Sequence, residues 1–501
     1  MNEVLRPYQV EVVAEFWRAV DAGQRRIILV APTASGKTVI ARAIVEEARH
    51  KGLSSLFLAH RREIITQTSN KLCGIPHGII RPGDQPRPLE PVQVASVQTL
   101  HRRAIKADTL ELPEAGLVIV DECHHVVAKS YRSILERYPN AILLGLTATP
   151  CRGDGRGLGS VFQKMIQCPQ VGELVARGYL VPTRVYAPID PDLRGVHLRH
   201  GDYVESELAG RMDQPQLVGD IVTHWFKFGE RRKTVCFATD VRHSIHIRDE
   251  FASAGVRAEH IDGGTPMAER DATLGRLACG EVDLVTNCMV LTEGWDMPAL
   301  GCLILARPTK QMGLYRQMIG RGLRPAPDKA NCIVLDHSGA TFRLGFAEDF
   351  IDWTLDPDLH ADNPTHAARG GDFPGGPKIA ECPECGAARV GGMACLNCGY
   401  LPARSPRAVE VGDGDLGLVD ASRRARSDPV DLRIRDEWHG MLAGIAAERG
   451  YKPGWVAHQY HTRFGEWPPR TAEAVVREPS VEVRRWVKSR MIAFARRRKS
   501  G

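Results

Sequence analysis

The segment APTASGKT, residues 31–38, stands between the apolar run RIILV and the amphipathic stretch VIARAIVEEA. A glycine-containing turn in that setting commits the chain to a strand, a tight loop and a helix, and a helix leaving a strand this way returns to a parallel neighbour. The loop also carries chemistry. Backbone amides of Thr33, Ala34, Ser35 and Gly36, together with the helix N-terminus, form a cradle suited to the phosphates of ATP, with Lys37 on the β and γ phosphates and Thr38 on Mg2+. The strict pattern opens on Gly where this chain has Ala31, and the bare alternative is a turn followed by a helix cap.

Alternation of short apolar runs with longer amphipathic stretches continues along the chain. RIILVA, SSLFLA, VQVA, LVIVD and AILLGLTAT read as buried strands of one parallel sheet, in a domain over residues 1–165. TVCFA, DLVTN, GCLILA and NCIVLD mark a second α/β domain over residues 166–348. At 501 residues the chain is longer than one hydrophobic core supports, so further units are expected behind these two. Residues 349–380 and 403–430, poor in apolar periodicity, read as linkers around a cysteine cluster at 381–402, and residues 431–501 as a small helical module. No apolar run approaches the roughly 18 to 20 residues of a membrane span, and MNEVLRPYQV lacks the apolar core of a signal peptide. A soluble, cytoplasmic protein with no membrane partner is expected.

A second element supplies what a phosphate loop lacks. LVIVDECHH, residues 117–125, is an apolar strand ending in adjacent carboxylates, of which Asp121 can hold Mg2+ through water while Glu122 polarises an attacking water. Farther on, QMIGRGLR places Arg321 and Arg324 three residues apart, on one face if the segment is a helix, where two guanidinium groups can reach a γ-phosphate across a cleft. Taken alone, such a pair is more often a solvated basic face.

Together these motifs resemble those of a superfamily-two helicase, more narrowly the RadD-type and phage DNA helicases with a DECH box, over residues 5–337. The resemblance implies two RecA-like domains and an ATPase driven by nucleic acid. LRPYQ resembles the adenine-reading motif, in which Gln9 would pair with the base edge and Arg6 would assist. LAHRREI, residues 58–64, and ASVQTL, residues 95–100, resemble the strand-gripping motifs, and TATP, residues 147–150, the coupling motif. VLTEGWDMP, with Gly294 and Asp296 as nucleotide contacts, resembles motif V, and the Gln317-led QMIGRGLR resembles motif VI. DECHH, TATP and Gln317 follow the pattern of double-stranded DNA motors, so DNA is favoured over RNA, although some RNA helicases share part of it. On DNA the protein would be nucleoid-associated, in replication, recombination or repair. Rival readings are a nucleic-acid-binding scaffold with weak ATPase and the motor subunit of a restriction or defence system.

Of thirteen cysteines, four form CPECG and CLNCG, so Cys382, Cys385, Cys395 and Cys398 make a closed thiolate set for one structural Zn2+. The others are scattered singly, as free thiols in a reducing compartment are. Residues 448–469 interleave Tyr451, Trp455, Tyr460, Phe464 and Trp467 with Lys452, His458, His461 and Arg463, which reads first as the aromatic core of a small module and second as a stacking surface for bases. A net charge of +6 is small for this length, so affinity for phosphates must come from local patches. The final helix, with Val483, Val487, Met491 and Phe494 on one side, is such a patch: no acidic residue follows Arg484.

Overall fold

β1 (Arg26–Val30), β2 (Ser55–Ala59), β4 (Val92–Ser96), β5 (Leu117–Asp121) and β6 (Ile142–Thr147) are the five expected runs, and with β3 (Gly78–Ile80) and β7 (Lys164–Gln167) at its edges all lie in one sheet ordered β3-β4-β2-β5-β6-β1-β7. Every pairing in it is parallel. Helices cover both faces, which is why these strands read as unbroken β-branched and leucine runs. The structure, a computed structural model, describes residues 4–356 except 86, 152–155, 188–190, 200 and 293; then 379–402, 429–464 except 452, 467–468, 475–480, 483–484 and 486–487, with no account of side chains at 429–434 and 453.

The second sheet holds β8 (Thr183–Tyr186), β11 (Thr234–Phe237), β12 (Ala258–Ile261), β13 (Leu284–Asn287), β14 (Cys302–Leu305) and β15 (Cys332–Asp336), again wholly parallel, in the order β12-β13-β11-β14-β15-β8. A short hairpin of β9 (Leu198–Arg199) and β10 (Asp202–Tyr203) precedes its helices. Four strands of the two parallel sheets escaped the sequence: β3 (Gly78–Ile80), β7 (Lys164–Gln167), β8 and β12. All four are edge strands, β3 only three residues long and the others mixing polar with apolar residues, so their apolar pattern is weak and only pairing reveals them. Because β7 pairs with β1, the first sheet extends just past residue 165.

Packing also reaches beyond residue 348. Ile351 and Trp353 are buried against Val30, and the Gln170 side chain holds the Ile351 backbone by two hydrogen bonds, Nε2 to O at 2.6 Å and N to Oε1 at 2.8 Å. The stretch expected to open a linker is therefore a strap on the first domain, while residues 357–378 and 403–428 of the expected linkers lie outside the described residues. One continuous apolar core runs from Phe16 and Leu29 of the first domain to Ile319 and Leu303 of the second.

The cysteine segment forms a ribbon of antiparallel β16 (Ile379–Glu381) and β17 (Ala388–Val390). Its buried Cys382, Ala387 and Cys395 share a cluster with Tyr186 and Trp225 of the second domain, where Phe228 stacks on Tyr186 at 4.3 Å between ring centres. The ribbon thereby covers the apolar face beside edge strand β8.

The C-terminal unit is separate, built from helices Pro429–Arg449 and Pro453–Phe464. Trp438, Leu442, Ile445, Tyr460, Val483 and Val487 are its core, with Tyr451, Trp455 and Phe464 packed at the edge, so most of the interleaved aromatics serve packing. Trp467 alone among the five stays exposed, stacked on His461 at 4.5 Å. Arg484 departs from the uncompensated field expected of the tail: both its Nη atoms lie 2.6 Å from Glu448 carboxylate oxygens. Met491, Phe494 and the cations from Lys488 onward are outside the described residues.

Gly145 in β6 is a packing requirement, since a Cβ there would lie 2.4 Å from Phe162 Cζ and 2.7 Å from Cys123 Sγ. Gly145→Ala is expected to destabilise the first domain by about 1–3 kcal/mol through overpacking, read as a lower midpoint of its thermal transition; an unchanged midpoint would show that Phe162 yields without cost.

Candidate active site

Parallel register sets the C-terminal ends of β1, β5 and β6 side by side, Val30 against Thr147 and Asp121 against Leu146, so three motif loops leave one edge of the sheet together. The phosphate loop is held in shape by its own conformation and by the first helix. Ala34 and Gly36 have φ of 70° and 88°, and a Cβ on Gly36 would lie 2.5 Å from Gln9 Nε2, so glycine is required on both counts. Tyr8 Oη and Gln9 Nε2 donate to Ser35 O at 2.5 and 3.1 Å, while Gln9 Oε1 accepts from Arg6 N at 2.9 Å. Arg6 lies 4.7 Å over the Tyr179 ring.

At the centre Lys37 Nζ is 2.6 Å from Glu122 Oε1. Glu122 is 6% exposed, sits at φ 46° and ψ 53°, and donates its backbone N–H to Asp121 Oδ1 at 3.0 Å. Its second oxygen, Oε2, has His124 Nδ1 and Gln317 Nε2 each at 3.4 Å. Burial alone would raise the Glu122 pKa, but Lys37 and His124 outweigh it and hold the carboxyl well below the usual range. Burial would likewise lower Lys37, yet Glu122 and Asp121 keep it above its ordinary value. Both groups are therefore charged at neutral pH. Thr38 follows Lys37 on the first turn of helix Lys37–His50.

Gln317 comes from the second domain, on helix Met312–Gly320, and that helix reaches the site through missing side chains. A Cβ on Gly320 would lie 2.3 Å from Thr33 Cβ, and one on Gly313 would lie 2.9 Å from Thr149 Oγ1. The helix ends at Gly320, so Arg321 is its C-cap and Arg324 lies beyond it, in place of the single helical face expected for the pair. Arg321 donates from Nε to Thr292 O at 3.1 Å and from Nη1 to Trp295 O at 2.7 Å. Arg324 Nη1 pairs with Asp296 Oδ1 at 2.6 Å. Burial lowers the Arg324 pKa, opposed by that partner.

Thus Gln9, Thr33, Ser35, Gly36, Lys37, Glu122 and Gln317 converge, whereas Asp296 and Arg324 bind each other. Gly294, at φ 69°, faces helix Arg62–Lys71: a Cβ there would lie 2.9 Å from Glu63 Cβ, and its carbonyl accepts from Gln67 Nε2 at 2.8 Å. Arg270 Nη1 adds an ion pair to Glu63 Oε1 at 3.2 Å. Sequence reasoning passed over Tyr8, whose neighbour Gln9 was a usable signal, and Gln67, Arg270 and Tyr179, which only the fold brings in.

In the ribbon the four Sγ atoms of Cys382, Cys385, Cys395 and Cys398 lie within 4.8 Å of one another, with 3.6 Å from Cys382 to Cys398 and 3.7 Å from Cys385 to Cys395. Thiolates about 2.3 Å from a tetrahedral zinc stand about 3.8 Å apart, so the donor set fits that ion. Gly386 and Gly399, at φ 71° and 75°, donate to Cys382 O and Cys395 O at 2.9 and 2.8 Å and close the two matching turns.

Residues 2–152 match the family model described as "Type III restriction enzyme, res subunit", and residues 215–326 the "Helicase conserved C-terminal domain". A Saccharomyces cerevisiae protein described as "Putative ATP-dependent helicase IRC3" is 32% identical over 68% of this chain, which spans about half (52%) of that relative's length. The "DNA 3'-5' translocase XPB2" of Sulfurisphaera tokodaii is 32% identical over 68% of this chain and 83% of its own, and the "51.5 kDa protein" of a Lactococcus phage 29% over 81% and 84%. Among solved structures, a fragment of an HsdR subunit of a type I restriction enzyme from Vibrio vulnificus superposes with a TM-score of 0.55 at 22% identity, covering 71% of this chain and 68% of that one. It shares the fold.

The Gly320–Thr33 approach yields a direct test. Gly320→Ala is expected to push the second domain off the phosphate loop and lower ATP turnover at least about tenfold, since misplacement of about 1 Å is costly in a positioned site. Turnover and thermal midpoint are measured together, and unaltered turnover would mean that the approach has no part in the reaction.

Proposed function

Because the chain belongs to the superfamily-two ATP-dependent helicases, we propose that it hydrolyses ATP in the cleft between its two parallel-sheet domains and uses the resulting domain movement to travel along or remodel DNA. The observation that carries this reading is the meeting of Lys37, Glu122 and Gln317 from three motifs and both domains. A cleft assembled from two domains is a site whose chemistry depends on their approach.

In the proposed reaction the loop amides of Thr33 to Gly36 and the Lys37 ammonium hold the β and γ phosphates, and Gln9 with Arg6 meets the adenine edge. Thr38, and Asp121 through water, would hold Mg2+, which would supply charge neutralisation on the phosphates. Glu122 leaves Lys37 when the phosphates arrive and orients the attacking water, assisted by Gln317 across the cleft. Arg321 acts on the γ-phosphate after giving up its carbonyl partners, whereas Arg324 braces Asp296 and motif V. The strand-gripping segments at residues 58–64 and 95–100 meet the polynucleotide backbone without regard to sequence. DNA is preferred to RNA on the DECHH, TATP and Gln317 pattern. Zn2+ on the four cysteines is structural, because four thiolates leave no open position.

Lys37→Ala and Glu122→Gln are each expected to lower ATP turnover by at least about a hundredfold while leaving the fold and nucleic-acid binding intact. Turnover is measured with single-stranded DNA, duplex DNA, forked DNA and RNA in parallel. Equal turnover with and without every nucleic acid would refute the motor, and stimulation by RNA alone would refute DNA as the track.

For the ribbon, elemental analysis is expected to find about one zinc per chain, and Cys395→Ser to release it and loosen the ribbon while basal turnover survives. A metal-free yet fully structured preparation, made without chelator, contradicts the assignment.

A further inference from the structure

The C-terminal edge of the first sheet carries a line of side chains that joins the two proposed strand-contacting segments to Glu122, a connection the proposed reaction does not use. β4, β2 and β5 are adjacent, with Ala59 in register with Ser96 and Leu58 with Val120. The loops after them therefore emerge side by side, bearing Gln98, then His60, then His124 and His125. Gln98 Nε2 donates to His60 O at 2.9 Å, and Ser96 Oγ donates to Gln98 Oε1 at 3.0 Å. The His60 and His125 rings are 4.8 Å apart at 70°, and the His125 and His124 rings 4.0 Å apart at 47°. His124 Nδ1 then stands 3.4 Å from Glu122 Oε2. The last step is short in sequence too: residues 123–125 form one 3-10 turn, His125 N donates to Glu122 O at 3.2 Å, and Glu122 holds a left-handed backbone that its neighbours must maintain.

We infer that the contacting rings of His60, His125 and His124, edge-on and tilted against one another, are a positioning relay through which a nucleic-acid strand lying on the residue 58–64 and 95–100 segments sets the place of the Glu122 carboxylate. The inference rests on the reading of the chain as a nucleic-acid-driven ATPase. The structure holds Glu122 on Lys37; the proposed reaction moves it off to orient water, and the relay biases that choice between two settings. A strand pressing on Gln98 or on the loop after β2 displaces the His60 backbone that Gln98 holds. The displaced His60 ring moves against His125, and the rigid turn carries that motion to His124 and Glu122. A two-setting element contacted at both ends is what coupling between sites requires. His60, His124 and His125 are positioning residues on this account, acting through Glu122.

His125 is the residue to change, because its side chain is exposed and its backbone bond to Glu122 survives substitution. ATP turnover is measured without and with saturating single-stranded and duplex DNA, and DNA affinity is measured separately. His125→Ala is expected to keep turnover without DNA, DNA affinity and thermal midpoint close to those of the unmodified chain, within about twofold for the first two, and to lose stimulation by DNA at least fivefold. His125→Phe, which restores a ring to the stack, is expected to recover more than half of the stimulation, a rescue that a merely structural role does not produce. Full stimulation in His125→Ala overturns the relay, as does a failure of His125→Phe to rescue or a parallel loss of turnover without DNA. No stimulation of the unmodified chain overturns the motor reading and the relay with it.

Discussion

The parallel pairing of β5, β6 and β1 is the constraint from which the site follows. It carries the phosphate loop, the DECHH loop and TATP to one edge of the sheet, and Ala31 N donates to Thr147 O at 2.8 Å as the strands end. There Lys37 and Glu122 form a nearly buried ion pair at 2.6 Å. A pair taken out of water contributes little net stability, because desolvation offsets most of the attraction. Its place at the mouth of a phosphate cradle suits a different purpose. Each charge is already desolvated, and each is ready for a third partner.

Approach of the second domain depends on absent side chains. Gly313 and Gly320 on one helix and Gly294 in the preceding motif each meet the first domain at distances no Cβ tolerates, against Thr149, Thr33 and Glu63. Glycine here admits backbone contact between domains, and at Gly294 the positive φ requires it as well. The same surface is stitched by Gln67 to Gly294 and by Arg270 to Glu63, so helix Arg62–Lys71 touches the segment around Gly294 and helix Met267–Cys279 directly. On the proposed function, nucleotide chemistry and strand contact share this one interface. The strap at Ile351 and Trp353 runs from the end of the second domain back to Val30 of the first.

The ribbon covers apolar surface beside β8, and the C-terminal unit, taken by itself, uses most of its aromatics for packing. Phe228 illustrates the first, stacked on Tyr186 and within 3.6 Å of a Cβ built on Gly386. Trp438, with Arg463 4.9 Å over its ring and Trp486 5.7 Å away, illustrates the second. Leu442, Ile445, Ala446, Val456, Val483 and Val487 make up most of its buried core, and the rings of Tyr451, Trp455, Phe464 and Trp486 extend that core at its edge, each burying much area for little lost conformational entropy.

What the amino-acid order determined by itself was the local chemistry. Strand, loop and helix around Lys37, the strand ending in Asp121 and Glu122, the Gln317 motif and the paired cysteine knuckles are all contiguous patterns, and contiguous patterns need no partner to be read. Tertiary structure decided whatever depends on residues distant in the chain. Polar edge strands such as β7 and β8 exist only through their neighbours, and residues 349–356 strap onto the first domain only because Gln170 and Val30 are there to receive them. Arg321 and Arg324 leave the single helical face because the helix stops at Gly320; both reach Trp295 O, at 2.7 and 3.4 Å, and only Arg324 also pairs with the Asp296 carboxylate. The His60–His125–His124 ring contacts join loops that meet only because β2 pairs with β5, a register set by the packing of the whole sheet.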